Sequence, residues 1–588
     1  MTAADTCRRR TPRLLKFRLQ DLAFNFLPGL LAGAQLAGLL FFLNPELPFG
    51  WWPLLRSCAA LGLIGGVISA FLLSAITWSR PGLARRQLPW MIVAVLAGAA
   101  ALNWLQASYL DYYIPPGINV RLIKAAIGLS VATLICFYTA LLHVAPARSY
   151  GRRSILLFLL LGLTSVYLLG ERRKAFQPPL AATPLPAAVA IEPRINLVVV
   201  GLTGATLDAV LPLAEQGQLP FFLRLIEEGA YGRLASFPPT APEALWTSLA
   251  TGRFPYRHGV LGPWVYSSPI LFGGHPIRLL PGGPLWKRPT APGFARHRLD
   301  SDMRRNPALW EIFARLGVPS GVVDWPATSP VRGLPSFVLS DRYFDGDFSA
   351  LSARPPELSE RGILFQVDGK ELDSESTAEF GDEVPQEVLD ALASDRWRQT
   401  LTLFLLDQRQ EIRALFLLLP GLGEVSKLTF GGYTAYHLDA QQQDSYRVSA
   451  QILTAYYRQL DAFLEQLWQR IPGTKTLAVA SPFGIGTATG WRRLANGITG
   501  RSVAGTYHPT RDGALFLLGD GIQANQFLDD ASVLDVMPTL LYAAGCPIGR
   551  DLDGRVLISA FESSFLAQTP LTFVPSYETV ASEQSSAP

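Results

Sequence analysis

Chemistry at the end of a buried strand needs a side chain that can ionise, attack or hold a metal, and the best-defined strand of this chain ends in a threonine. Residues Ile195 to Thr206 read INLVVVGLTGAT, an apolar β-branched run of strand length followed by glycine and a small polar turn. A parallel strand buried on both faces has this pattern, and in open α/β sheets ligands gather at the carboxyl ends of such strands. Thr203 stands at that tip, where a metal-handling enzyme would place a carboxylate. Cysteine supplies no substitute. Of four cysteines, Cys7, Cys58 and Cys136 fall in a basic tail or in apolar segments, and Cys546 is alone in the remainder, so no disulfide can form there. That leaves an oxidising compartment open.

The elements that position this strand differ before and after it. A chain of 588 residues is long enough for two to four domains. Its 49% hydrophobic and 17% charged residues are skewed, with most of the apolar excess in the first third. A net charge of +4 is too small to argue for a nucleic-acid partner. After a basic tail (1–20), five segments are long enough to cross a bilayer, about 22–43, 57–78, 89–109, 125–144 and 154–170. Further hydrophobic segments follow the first, which reads as an anchor and not a cleaved leader. None has an Asp, Glu, Lys or Arg at its centre, which argues against ion or proton conduction.

Six basic residues in the tail, Arg80, Arg85 and Arg86 in one loop and Arg148, Arg152 and Arg153 in another put those sides in the cytoplasm. Five crossings then place residues 171 onward outside, in the periplasm of a Gram-negative host. Arg172, Arg173 and Lys174 run against that orientation. Asn103 and Gln106 read as interhelical hydrogen-bonding residues, and Trp51, Trp52, Trp90, Tyr112 and Tyr113 as an interfacial belt. A transmembrane domain over 21–174 is thus followed by a semi-rigid Pro/Ala-rich linker over 175–194.

From 195 to 560, strand and helix patterns alternate. A helix over Leu207 to Gly229 is followed by the strand YGRLASF, a helix around Asn306 to Leu316, strands SGVVDWPAT and ALFLLLPGLGE, a helix from Ser449 to Arg470, strands TKTLAVASPFGIG and DGALFLLG, and a helix from Asp535 to Gly545. This predicts one doubly wound α/β domain with a mostly parallel sheet. Irregular inserts are expected at about 262–305 and 341–400, and a C-terminal tail over 561–588 whose last twelve residues are disordered.

The pieces GLTGAT, LPFFLRLIEEGAYGRL, PPTAPEALWTSLATGRFPYRHGV, NPALWEIFARLGVPSGVVDWPAT, LPGLGEVSKLTF, SPFGIG, GTYHPTRDGALF and DVMPTLLYAAGCPIGRDLDGRVL span 195–560. In this order they resemble the alkaline phosphatase superfamily, in its type I phosphodiesterase and nucleotide pyrophosphatase branch. The resemblance implies an alkaline-phosphatase-like sheet. It also implies two divalent metals, usually zinc, held by Asp and His at strand ends, which activate a Ser or Thr nucleophile and clamp a phosphate.

Carried over residue by residue, that site is degenerate. The Asp of GxDG corresponds to Thr203. The nucleophile, nine residues before the Thr of the ATG turn, corresponds to Pro242, and Thr240 is the one nearby hydroxyl that a small loop shift could bring into register. The Asp and His of GLDxxxH correspond to Gly423 and Lys427, whose ammonium opposes a dication. In the segment resembling SDHGFG, Pro482 and Phe483 replace Asp and His. His508 is offset by one residue from the family's last histidine and is the one possible residual ligand. His258 matches a turn histidine that is no ligand, and His275, His297 and His437 lack metal spacing. Trp246, Thr251, Gly252, Trp325 and Pro326 match the frame around the site.

The sequence therefore supports a membrane-tethered pseudoenzyme that needs no cofactor and binds an envelope protein or an anionic ligand, with Lys427 and Arg492 or Arg493 as candidate cations. In the bland reading Lys427 snorkels to water from an inert cleft. The alternative is an active hydrolase or phosphotransferase using zinc or manganese in a relocated site with Thr240 and His508. Its acids would come from Asp208, Glu243, Asp324, Glu424 and Asp512. In a third reading the helical part is a lipid or scaffold binder regulated by the outer domain.

Overall fold

The structure, a computed structural model, describes residues 3–48, 50–77, 83–144, 153, 156, 194–269, 271–282, 295–332, 335–366, 369, 372, 377–381, 384–438, 444–487, 505–506 and 512–578. They fall into two compact units, residues 1–179 with 261–298, and residues 180–260 with 299–588.

In the first unit four helices follow one another: α1 (Ala3–Leu43), α2 (Trp51–Thr77), α3 (Leu83–Tyr109) and α4 (Pro116–Val144). Each contains a stretch of 24 or 27 residues apolar enough to cross a membrane. At 1.5 Å per residue these exceed a hydrocarbon core of about 30 Å. The fifth expected span, 154–170, and the linker lie outside the described residues apart from Leu156 and Arg194.

Small residues let α1 and α2 pack closely, since a Cβ on Gly29 would sit 2.0 Å from the Gly65 carbonyl oxygen. Asn25 adds polar contacts by donating to Ser74 Oγ and Thr77 Oγ1, each at 3.0 Å. Asn103 donates to Ala99 O within its own helix, at 2.7 Å, and Gln106 Oε1 accepts from Gly282 N at 3.1 Å, so neither bridges helices through these bonds. Residues 261–282 and the hairpin of β3 (Trp264–Ser267) with β4 (Ala295–Arg298) fold with the helices, although they lie inside the stretch expected to be one α/β domain.

The second unit is built on a nine-stranded sheet. In spatial order its strands are β13 (Gln526–Leu528), β2 (Ala230–Ala235), β12 (Asp512–Gly519), β9 (Lys475–Ser481), β1 (Asn196–Leu202), β8 (Ala414–Leu419), β5 (Ser320–Val323), β6 (Phe337–Leu339) and β7 (Ala353–Arg354). Strands β12 and β7 run against the others, so the sheet is mixed and mostly parallel. All residues of β1 and β8 are buried, which explains their unbroken apolar sequences. Val198, Val200 and Leu202 face a layer containing helices Leu207–Glu215, Gln386–Gln408, Gly421–Leu438 and Asp444–Arg470. On the other face a Cβ on Gly201 would lie 2.7 Å from the Trp246 ring, and Trp310 packs on Phe416. The sheet is thus covered on both sides, as a doubly wound domain requires.

Several boundaries differ from expectation. The helix expected over Leu207 to Gly229 is two, Leu207–Glu215 and Pro220–Glu227, because Gly217 takes a left-handed φ of +70° and Pro220 starts the second. The strand ALFLLL ends at Leu419, and the following Gly421 already begins a helix. The insert at 341–400 is not wholly irregular, since the Gln386–Gln408 helix supplies core residues. Tyr577 and Glu578 belong to the fold. Tyr577 is buried, and Glu578 accepts from Arg253 at 2.9 Å, whereas the rest of the expected disordered tail lies outside the described residues.

Candidate functional site

The parallel register brings the tips of β1, β8 and β9 together. Leu202 stands opposite Leu419, and Gly201 stands opposite Ala480. Thr203 continues this path with its N–H donating to Leu419 O at 3.2 Å, and its side chain is buried. Gly204, at φ +81°, donates to Ser481 Oγ at 3.1 Å, and that hydroxyl donates to Phe483 O at 2.8 Å. A Cβ on Gly204 would meet Ile485 Cδ1 at 2.8 Å and Gly423 Cα at 3.5 Å. The structure therefore gathers Thr203, Gly423, Pro482 and Phe483 in one place, with the Ile485 side chain packed against Gly204.

Hydrocarbon fills that place. Phe483 is 0% exposed, and its ring lies edge-on to Trp246 at 6.4 Å. Trp246 continues to Trp325 at 5.3 Å. Pro482 and Ile485 are also buried. Lys427 is one helical turn beyond Gly423 and pairs with the Glu424 carboxylate; these side chains are 29% and 60% exposed. Pro242 is the first residue of the Pro242–Thr251 helix, where a missing N–H and a fixed φ suit helix initiation. Thr240 is half-buried in the loop before the cap residue Ala241.

The remaining candidates scatter. Asp208 is exposed and bound to Arg233 at 2.6 Å. Glu243 lies in the first turn of the Pro242–Thr251 helix, and Asp512 at the start of β12. His275 is exposed, and His297 Nε2 meets Ser267 Oγ at 3.1 Å on an exposed edge. His508, Arg492, Arg493 and the side chain of His437 lie outside the described residues.

His258 contacts Ser248 at 2.9 Å, a pairing that resembles a nucleophile with its base. Both are fully buried, and Val260 N–H donates to His258 Nδ1 at 3.1 Å. The proton therefore resides on Nε2, which faces the serine as a donor and cannot deprotonate it. Burial, and then the Arg304 charge, lower the His258 pKa to about 3, so it stays neutral.

One acidic candidate is buried at the same sheet edge. Asp324 follows β5 directly, adopts a left-handed φ of +57°, and accepts from Arg398 Nε at 2.6 Å. Burial pushes its pKa up to about 7 against the opposing effect of Arg398. Asp395, one turn before Arg398, accepts from Gly421 N–H at 3.1 Å and from the Tyr456 hydroxyl at 2.8 Å. Its pKa is likewise pushed up by burial, to about 6. Asp395, Arg398 and Tyr456 were not among the sequence candidates. Asp395 and Arg398 do fall on the buried stripe Val388, Leu392, Asp395, Arg398, Thr402 and Leu405, so charge at apolar helical spacing was the available signal.

A divalent pair needs several ionised carboxylates or imidazoles converging on each ion. Among the described residues no group of three or more His, Cys, Asp or Glu could hold a metal ion. Asp324 Oδ2 is taken by Arg398, and the two oxygens of Asp395 by Gly421 and Tyr456. The described residues at the strand tips do not fit the two metals that the resemblance implied.

Residues 195–497 match the type I phosphodiesterase / nucleotide pyrophosphatase family over half of the chain, and the protein belongs to that family. The mostly parallel sheet that the resemblance implied is present. No curated protein matches the chain. Similar solved structures include murine ectonucleotide pyrophosphatase / phosphodiesterase 5, with 12% identity, 60% of this chain and 96% of that one covered, and a TM-score of 0.35. A phosphonate monoester hydrolase from Silicibacter pomeroyi has 13% identity, 62% and 76% coverage and a TM-score of 0.36. An alkaline phosphatase has 12% identity, 63% and 100% coverage and a TM-score of 0.42.

Proposed function

We propose that this protein is a membrane-anchored member of the family that keeps the phosphodiesterase frame without its metal chemistry, and that it binds an envelope protein or an anionic ligand without turning it over. The observation that carries this reading is Phe483, a fully buried ring packed on Trp246 at a position where the family places a metal-binding histidine. Thr203, Gly423 and Pro482 beside it offer no ionisable ligand. Losses around a metal's ligands already cost about 10–100-fold in affinity or activity, and loss of the ligands themselves costs more. Lys427 is a weaker candidate for holding an anion than its position suggested, because Glu424 already neutralises it.

We further propose that the N-terminus is cytoplasmic and the second unit extracytoplasmic. The basic loops support the first part. Support for the second is that Pro269, Leu279 and Gly282 meet Arg56, Asn44 and Gln106, at the end of α2 and α3 opposite Thr77 and Leu83. Four crossings would leave Val144 on the cytoplasmic side, so a fifth is needed before Leu261, where the apolar run 154–170 lies.

Full-length protein in detergent, supplied with zinc or manganese and an aryl phosphodiester, should show no hydrolysis above buffer. Turnover that disappears in Thr240→Ala would establish the relocated active site instead.

A further inference from the structure

Residues 261–282 leave the α/β frame after Val260, and their backbone is bound to the membrane helices by one side chain in particular. Asn44 is the first residue past α1. Its Oδ1 accepts from Arg278 N at 2.7 Å and Leu279 N at 2.9 Å, and its Nδ2 donates to Leu279 O at 2.8 Å and Leu40 O at 3.0 Å. All four hydrogen-bonding positions of the amide are thus used. Around it, Phe41 meets Phe272 edge-on at 4.9 Å, and Arg278 Nε lies 3.4 Å from Glu46 Oε2. Arg56 donates to Pro269 O at 3.3 Å, and Gln106 accepts from Gly282 N. Phe272, Ile277 and Leu279 are buried, so the segment contributes its own hydrophobic surface.

We infer that residues 261–282 are a second tether: a strap from the phosphodiesterase-like frame that docks on the outer end of its own helix bundle and holds the domain there independently of the 175–194 linker. The contact is a specific protein surface, because an amide bonded to both N–H and C=O of one residue reads backbone as a strand would, and a lipid surface offers no such partner. A strap of this kind makes docking intramolecular, so moderate contacts suffice to keep it closed. Its roots are fixed in the frame: His258 O accepts from Arg305 N at 3.0 Å, and Val260 and Leu299 pack with Ala327, two residues beyond Trp325. The tether is independent of whether the frame retains catalysis.

The test inserts a site-specific protease sequence into the linker after Ala187 of the full-length protein. Membranes are cleaved and washed at high salt, and the fragment carrying residues 188–588 is followed. The strap predicts that this fragment stays in the pellet and that Asn44→Ala combined with Phe272→Ala releases it. Release of the fragment without those substitutions overturns the inference. Retention despite them also overturns it, since lipid would then be the holding surface. Because the double variant could fail to fold, a second form places cysteines at Asn44 and Leu279 in a chain whose four native cysteines are replaced by alanine. After oxidation and linker cleavage the two fragments should run as one band until reduced, and separation without reductant contradicts docking.

Discussion

At the tips of β1 and β9 the chain places Thr203, Pro482, Phe483 and Ile485, all buried, with the Ser481 hydroxyl closed onto backbone. Along the same edge, the tip of β5 carries Asp324, and the helix start after β8 is capped by Asp395. Both regions are buried, yet one holds aromatic and aliphatic groups and the other two carboxylates, a guanidinium and a phenol. The difference is one of partners. Buried charge persists where its oxygens have donors, and among the described residues Thr203, Gly423, Pro482 and Phe483 carry none. Charge at this sheet edge therefore serves to lock helices onto the sheet, while the place where the resemblance would put metals has Phe483 and Ile485 buried in it.

The largest expected effect comes from breaking the polar half. Arg398→Met leaves Asp324 buried without a counter-charge and should cost about 3–5 kcal/mol at pH 8, read from denaturant unfolding. The pH dependence has a fixed sign. Both carboxyls have folded pKa values, about 7 and about 6, above the ordinary 3.8. The folded state thus binds more protons between these limits, and stability from these groups falls as pH rises from about 4 to about 7. The advantage of the natural chain over Asp324→Asn should narrow across that window.

Breaking the apolar half should have a comparable consequence: Phe483→Ala opens a cavity beside Trp246 and costs about 3–5 kcal/mol. A change within about 0.5 kcal/mol would mean that Phe483 borders an open cleft.

A smaller loss, about 1–3 kcal/mol, is expected from Thr203→Asp, which buries a carboxyl without a donor set. Added zinc should not restore the melting temperature of that variant, and recovery would show residual metal affinity in the frame. Lys427→Ala should have the smallest effect, within about 0.5 kcal/mol, because its pairing with Glu424 is partly solvated.

Much of this was legible from residue order. The runs NLVVVGL and ALFLLL could be little other than strands buried on both faces, and Pro482 and Phe483 could not be ligands under any geometry. The polar half was hidden because its members come from 324, 395, 398, 421 and 456, which meet only once the helices pack on the sheet. Gln106 was read as interhelical because nothing in its own segment announces a partner at Gly282. For the same reason the stretch at about 262–305 looked like an irregular insert of the α/β domain. Nothing in its pattern announces the β3–β4 ladder, and the residue that Arg278 and Leu279 bind lies more than two hundred positions earlier, at Asn44.

Metal content tests the central claim most directly. Full-length protein, extracted in detergent and purified without chelators, should contain zinc and manganese far below one atom per chain by elemental analysis. A stoichiometry approaching about two per chain, as in a working two-metal site, would contradict the account.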